Sequence, residues 1–325
     1  MALSRRKFLH FVACASAGSA ITNTAWAQTY PARAVQMLVP FAPGGGTDLA
    51  ARLIGQWLSE QLGQQFITIN RPGAGSNVAT EAVVRASSDG YTLLVFDPSA
   101  AINATLYDKL NFAFLRDIAP IALLMRTPIL MVVNPAVPAK TVPEFIAYAK
   151  ANPGKINMGS GGIGTTPHVS GELFNMMTGV KLVHVPYRGS GPARTDLIGG
   201  QIQVMFDPIA QALEYVRGGQ LRALAICTTT RAEVLPDLPT VSEFVSGYAS
   251  DTWYGVGAPR GTPPEIIQTL NREINAGLLD PKIKARLADL GGTVLAGSPA
   301  DFGKLLAEET EKWGKVVKFS GTKAD

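Results

Sequence analysis

The sequence predicts an α/β protein of two domains, each built on an open, mainly parallel sheet. Short apolar runs end in glycine-rich or small polar turns and are followed by helical patterns, the alternation expected of βα units. The pattern breaks at a proline-punctuated stretch and returns after Asn152-Pro153-Gly154, so it occurs twice. The chain's 325 residues also suffice for two domains of ordinary size. With 46% apolar and 17% charged residues and a positive mean hydropathy, it has the balance of a chain that buries a core.

The N-terminus reads as an export signal. Arg5-Arg6-Lys7 precedes a weakly apolar stretch, and Ala25-Trp26-Ala27 is a small-x-small cleavage site. The twin arginines resemble a twin-arginine signal, which places the mature protein in the periplasm after cleavage near Ala27. Residues 1–27 carry Arg5, Arg6 and Lys7 and no acid, so their removal takes the net charge from +4 to +1. The basic balance therefore gives no argument for a nucleic-acid partner. Cleavage also removes Cys14 and leaves Cys227 alone, without an internal disulfide. No later apolar run reaches the roughly 18 residues that span a bilayer.

The elements follow in order. An apolar run at 35–39 predicts a buried strand, Phe41-Ala42-Pro43-Gly44-Gly45-Gly46-Thr47-Asp48 turns the chain, and a helix begins, with Thr47 or Asp48 as its N-cap. Glycine N–H groups at a helix start suit an anion such as a carboxylate. The pattern repeats at strand 65–70 with Arg71-Pro72-Gly73-Ala74-Gly75-Ser76-Asn77, and at strand 91–96 with Asp97-Pro98-Ser99-Ala100. Two apolar runs, 118–125 and 129–133, are expected on either side of Arg126-Thr127-Pro128, with a helix at 142–151 capped by Thr141. The second set comprises strand 155–158 with the loop from Gly159 to His168, strand 180–185 with Pro186-Tyr187-Arg188-Gly189, and strand 202–206 ending at Asp207. A further strand is expected at 221–227. The segment holding Trp253-Tyr254-Gly255 is left without an element, and helices are predicted at 264–278, 282–290 and 299–317. In sheets of this kind ligands bind outside the carboxyl ends of the strands, where these loops lie.

Catalytic and cofactor motifs are missing. Gly159-Ser160-Gly161-Gly162-Ile163-Gly164 has the dinucleotide spacing, but the next strand ends Val183-His184-Val185-Pro186, without the ribose-binding acid. No glycine loop continues into Lys-Ser or Lys-Thr, and there is no G-x-S-x-G elbow. His168 and His184 have no metal spacing, and Cys227 in an apolar strand reads as core. Neither a metal nor a cofactor is expected. Asp48, Asp97, Asp196 and Asp207 all stand near loop ends, where caps and turns use them; Asp207, ending an apolar strand at the inferred cleft, is the strongest site candidate. Several anion-friendly loops without a catalytic set describe a binding protein better than an enzyme.

Six blocks, in order, resemble the Bug family, the extracytoplasmic solute receptors of tripartite tricarboxylate transporters. They are the stretch from Val39 to Asp48, the stretch from Asn70 to Asn77, Asp89-Gly90-Tyr91-Thr92-Leu93-Leu94, the loop from Gly159 to His168, Val185-Pro186-Tyr187-Arg188-Gly189, and Leu238-Pro239-Thr240 with Glu243 and Trp253-Tyr254-Gly255. The resemblance implies a type II periplasmic binding protein, a two-lobed Venus flytrap of two α/β domains with a cleft between. Lobe one would hold 28–124 and 228–325, lobe two 125–227, with crossovers near 123–131 and 221–228. A ligand carboxylate would be held on lobe one by Phe41, Gly45, Gly46 and Thr47 beside Ser99 and Ala100, and on lobe two by Ser160, Thr165 and Asp207. The expected ligand is a small dicarboxylate, amino acid or aromatic carboxylate. The partners would be inner-membrane transporter subunits, and the receptor a monomer. The alternatives are an enzyme using His168 as base and a ligand sensor without a transporter.

Overall fold

The computed structural model describes residues 30–324; the export signal expected at 1–27 lies outside them. Three strand–loop–helix units come first. β1 (Val35–Val39) runs into α1 (Gly46–Leu62), β2 (Phe66–Asn70) into a 3-10 turn (Ala74–Ser76) and α2 (Asn77–Val84), and β3 (Thr92–Phe96) into α3 (Ser99–Leu106). β1 lies between β2 and β3 and is parallel to both, so all three glycine or small-residue loops leave the same sheet edge.

A short helix, α4 (Phe114–Asp117), leads into β4 (Ile118–Val133), and α5 (Val142–Ala151) follows. The second set is β5 (Ile156–Ser160), α6 (Thr166–Thr178), β6 (Leu182–Pro186), α7 (Ser190–Ile198), β7 (Val204–Pro208), α8 (Ile209–Arg217) and β8 (Arg222–Ile226). β9 (Asp251–Pro259), α9 (Pro264–Leu279), α10 (Pro281–Asp289), β10 (Thr293–Val294) and α11 (Pro299–Ser320) complete the chain. The Thr141 hydroxyl accepts from Glu144 N–H and caps α5, as its sequence suggests.

The strand order is β2-β1-β3-β9-β4-β7-β5-β6. It differs from a purely parallel arrangement at its centre, where β9 runs antiparallel to both β3 and β4. This strand holds the Trp253-Tyr254-Gly255 segment to which the sequence assigns no element. The two apolar runs expected on either side of Arg126-Thr127-Pro128 are one strand. The first part of β4 pairs β9, and 129–133 pairs β7 and β8. Pro128, with no N–H to give to a ladder, stands where β4 changes partners. Arg126 is fixed there by Asp251 at 3.0 Å. The chain returns alongside, with Cys227 N–H donating to Ile129 C=O and Ser250 N–H to Cys227 C=O, each at 2.8 Å.

Each half-sheet has its own core. Phe96, Phe114, Trp253 and Phe302 pack under the first, with ring centroids 5.3 to 5.7 Å from Phe96. Phe145, Phe174, Phe206 and Tyr248 pack under the second. α11 takes part in both: Phe302 and Leu306 belong to the first core, Trp313, Val316 and Val317 to the second. Between them Glu309 is 6% exposed and accepts from the indole N–H groups of Trp253 (3.3 Å) and Trp313 (2.7 Å).

Candidate functional site

The first glycine loop builds its helix start differently from the sequence expectation. Gly45, not Thr47 or Asp48, is the N-cap of α1. Asp48 sits in the first turn, buried, and its carboxylate gathers Gly44 N–H (2.9 Å), Asn70 Nδ2 (2.8 Å) and two guanidinium nitrogens of Arg52 (3.0 Å each). Burial alone would raise its pKa, but Arg52, Gly44 and Asn70 outweigh it and hold Asp48 below the usual carboxylate range. Asp48 therefore braces the loop, and the opening N–H groups of α1 have no carbonyl within the helix to pair with. A side chain on Gly46 would put its Cβ 2.3 Å from the Tyr254 hydroxyl, so only glycine fits between the loop and β9.

The second loop is strained. Ala74 and Ser76 have φ of +44° and +94°, a region that residues with a Cβ rarely adopt. Asn103 of α3 restrains it, donating to Gly75 C=O at 2.6 Å and to the Ser76 and Asn77 side chains. Asn103 Oδ1 and Asn77 Nδ2 are buried without a hydrogen-bond partner among the described residues. At the third loop, Ser99 donates to Asp97 Oδ1 from both its hydroxyl (2.5 Å) and its N–H (2.9 Å). Burial pushes Asp97 up to about 6 despite these bonds.

On the second half-sheet, Ser160, Thr165 and Asp207 lie at the carboxyl ends of the parallel strands β5 and β7, with Tyr187 after β6. Ser160 is fully buried, and its Oγ lies 2.6 Å from His184 Nε2 and 3.1 Å from Gly162 N and O. His184 stacks on His168 at 3.8 Å between centroids, and His168 Nδ1 accepts from Gly164 N–H. Burial drives both imidazoles to the neutral form, His168 to about 3 with help from His184, and His184 to about 4. His168 is 1% exposed and its Nδ1 is taken by Gly164 N–H. Thr165 caps α6 from its backbone while its hydroxyl donates to Gly162 C=O at 2.7 Å.

Asp207 is not a free acid. Arg194 of α7 grips it with two bonds of 2.7 and 3.2 Å and reaches Gln211 at 2.8 Å. Both partners are buried, and desolvation still raises Asp207 against the pull of Arg194. The negative charge of Asp207 is thus balanced. Arg194, Tyr254, Asn103 and His184 contact the candidate residues or their loops, a placement that sequence reasoning missed. Arg194 stands 13 residues before Asp207, one helix away, a spacing that carries no motif.

α3 joins the two loop groups. Its first residues, Ser99 and Ala100, adjoin the first half-sheet loops, while its last turn meets the second: a Cβ on Gly164 would lie 2.6 Å from Leu106 and 3.5 Å from Asn103. Phe41, Gly46 and Thr165 are half-buried, Gly45 is exposed, and Thr47, Ser99 and Ala100 are buried. Hollows of about 480 and 390 Å³ share Pro135 and Arg222 after the end of β4, which runs antiparallel to β7; they open on the opposite edge from these loops. Arg222 is already committed there to two carbonyls. Among the described residues no His, Cys, Asp or Glu cluster could hold a metal, and no helix is long and apolar enough to cross a membrane.

Residues 50–322 match the family described as tripartite tricarboxylate transporter family receptor. The chain belongs to this receptor family. It is 37% identical over 300 residues to BugT of Bordetella pertussis, covering 91% of this chain and 92% of that protein. Among solved structures, R. palustris Rpa4515 with adipate is 37% identical at a TM-score of 0.81, over 90% of this chain and 98% of that one. MatC from Rhodopseudomonas palustris with bound malate is 34% identical at a TM-score of 0.78, over 89% of this chain and the whole of that one. The Bug resemblance carried by the six sequence blocks is thereby established, and the fold is the two-lobed α/β architecture of the family's periplasmic binding proteins.

Proposed function

We propose that this receptor captures a small carboxylate in the periplasm between two lobes, 28–124 with 228–325 and 125–227, and that the closed form is read by inner-membrane transporter subunits. It acts as a monomer and without catalysis. The observation that carries the reading is the convergence of helix starts and glycine loops on one edge of each half-sheet, linked through α3, with Asp48 and Asp207 both neutralised by arginines. Such a site offers N–H donors to an anion. Phe41, Gly45, Gly46, Thr47, Ser99 and Ala100 would hold one end of the ligand, and Thr165 with the Ser160 and Asp207 strand ends the other. The change of partners at Pro128 and the return beside Ile129 supply two adjacent crossovers about which lobes can close.

The balanced charge of Asp207 favours a dicarboxylate over an amino acid, and two relatives have structures with adipate and with malate. A thermal-shift and calorimetric screen of C4 to C6 dicarboxylates, acidic amino acids and aromatic carboxylates tests the reading, because a ligand that binds only the folded form must stabilise it. Saturable binding that is lost in Gly46→Val supports it. Undiminished binding by that variant removes the first glycine loop from the site, and turnover of any ligand overturns the non-catalytic assignment.

A further inference from the structure

The aspartates at the loop ends differ in their partners. Asp48 has Arg52, Asp207 has Arg194, and Asp196 accepts from the Tyr187 hydroxyl at 2.7 Å. Asp97 has no arginine among the described partners, only Ser99, whose two bonds both go to Oδ1, and its own backbone N–H. Two strand pairings bear on its place. Leu94 pairs Leu38 in the parallel ladder, so β1 and β3 end side by side and Asp97 leaves the same sheet edge as the loop that begins after Val39. Phe96 pairs Gly255 in the antiparallel ladder, which brings Asp97 beside Tyr254, the residue whose hydroxyl closes on Gly46. The Tyr254 phenol is held well above its ordinary range by burial first and by the Asp97 charge second, so the two groups face each other. Asp97 thus adjoins the proposed anion site, with both Ser99 bonds gathered on its Oδ1.

Two like charges cannot share such a place without a cation. The groups bearing on Asp97 are its own backbone N–H, the Ser99 hydroxyl and N–H from α3 and the Tyr254 phenol from β9, all uncharged at neutral pH. The charged pair of α1, Asp48 and Arg52, is closed on itself and on Asn70. We propose that Asp97 is a specificity-determining residue that takes up one proton from solvent when a small dicarboxylate binds, and that its Oδ2 hydroxyl then donates to a ligand carboxylate oxygen. No covalent bond changes; the proton stays on Asp97 and returns to solvent on release. The inference rests on the carboxylate-receptor reading. With Asp97 already pushed up to about 6, the proton is within easy reach at neutral pH. At pH 7.5 a free aliphatic dicarboxylate is already a dianion, so the proton taken up on binding comes from solvent.

Calorimetry with succinate, malate, glutarate and adipate, each in phosphate and in Tris at pH 6.5, 7.5 and 8.5, reads the proton directly. The expected result at pH 7.5 is an uptake of about one proton per ligand, with affinity falling about tenfold per pH unit between 7.5 and 8.5. Asp97→Asn should bind the same ligand with no uptake and a flat pH profile. Binding by the unaltered protein without uptake overturns the proposal whether or not the variant folds, and so does uptake that survives in Asp97→Asn. Preferential binding of glutamate without uptake also overturns it, since an ammonium would then face an ionised Asp97. Failure of every carboxylate to bind at every pH is distinguishable from these results, because it removes the receptor reading itself.

Discussion

Arg194 and Asp207 show what single residues contribute here. An ion pair this buried gains little over apolar side chains of similar size, yet leaving one charge alone is costly. Arg194→Met should therefore destabilise the protein by about 3 kcal/mol or more, read from urea unfolding at pH 7. Adding Asp207→Leu to it should recover most of that loss. A double variant as unstable as the sum of the two singles would mean the pair is not one unit. The residues that make this pair are visible in the sequence, but their pairing is not: Asp207 announces itself by ending an apolar strand, whereas Arg194 reads as an ordinary helical surface cation. Asp48 reverses the case, since its place near a helix start is legible while its bonds to Arg52 and Asn70 depend on how β2 lies against the loop.

At the scale of elements, the strand–loop–helix units were legible because their signals are local: an apolar run, a glycine turn, a helical period. β9 was not, because its burial comes from β3 and β4, more than a hundred residues upstream, and its glycines blur a strand pattern. The glycines have a packing reason. A Cβ on Gly255 would lie 2.1 Å from Phe302, and one on Gly257 would lie 2.6 Å from Ile118, so β9 is thin where α11 and β4 press on it. α11 was found as a helix, but its part in both cores was not, since an amphipathic pattern does not say how many partners share one face. Glu309 is the test of that part. Glu309→Ala would leave two buried indole N–H groups unpaired, and a loss of about 2–4 kcal/mol is expected. Glu309→Gln keeps an acceptor and should lose less. Tryptophan fluorescence during urea unfolding follows both, and equal losses would show that the carboxylate's charge, which also meets Lys312, rather than its bonds to the indoles matters there.

For the whole molecule, acid is the condition that sets these groups against one another. His168 and His184 have folded values of about 3 and about 4, below the 6.5 of a free imidazole, so the unfolded chain binds more protons between those limits. Their contribution is fully present above about pH 6.5 and is lost as the pH falls, by up to about 1.4 kcal/mol per pH unit for each histidine. Asp97 works in the opposite sense: its folded value of about 6 lies above the ordinary 3.8, so the folded chain binds the extra proton between the two and gains stability on acidification. Two histidines outweigh one aspartate, and the net expectation is a fall in stability from pH 6.5 to pH 4.5. His168→Leu removes one of the two losses, leaves His184 nearly balanced by Asp97 and should almost level the acid limb, whereas Asp97→Asn removes the compensating gain and should steepen it. Urea unfolding of the three proteins at pH 7.5, 6.5, 5.5 and 4.5 separates these effects. An acid limb unchanged by His168→Leu would locate the acid sensitivity outside the stacked pair, in carboxylates such as Asp117, whose bond to Arg116 holds it down to about 2.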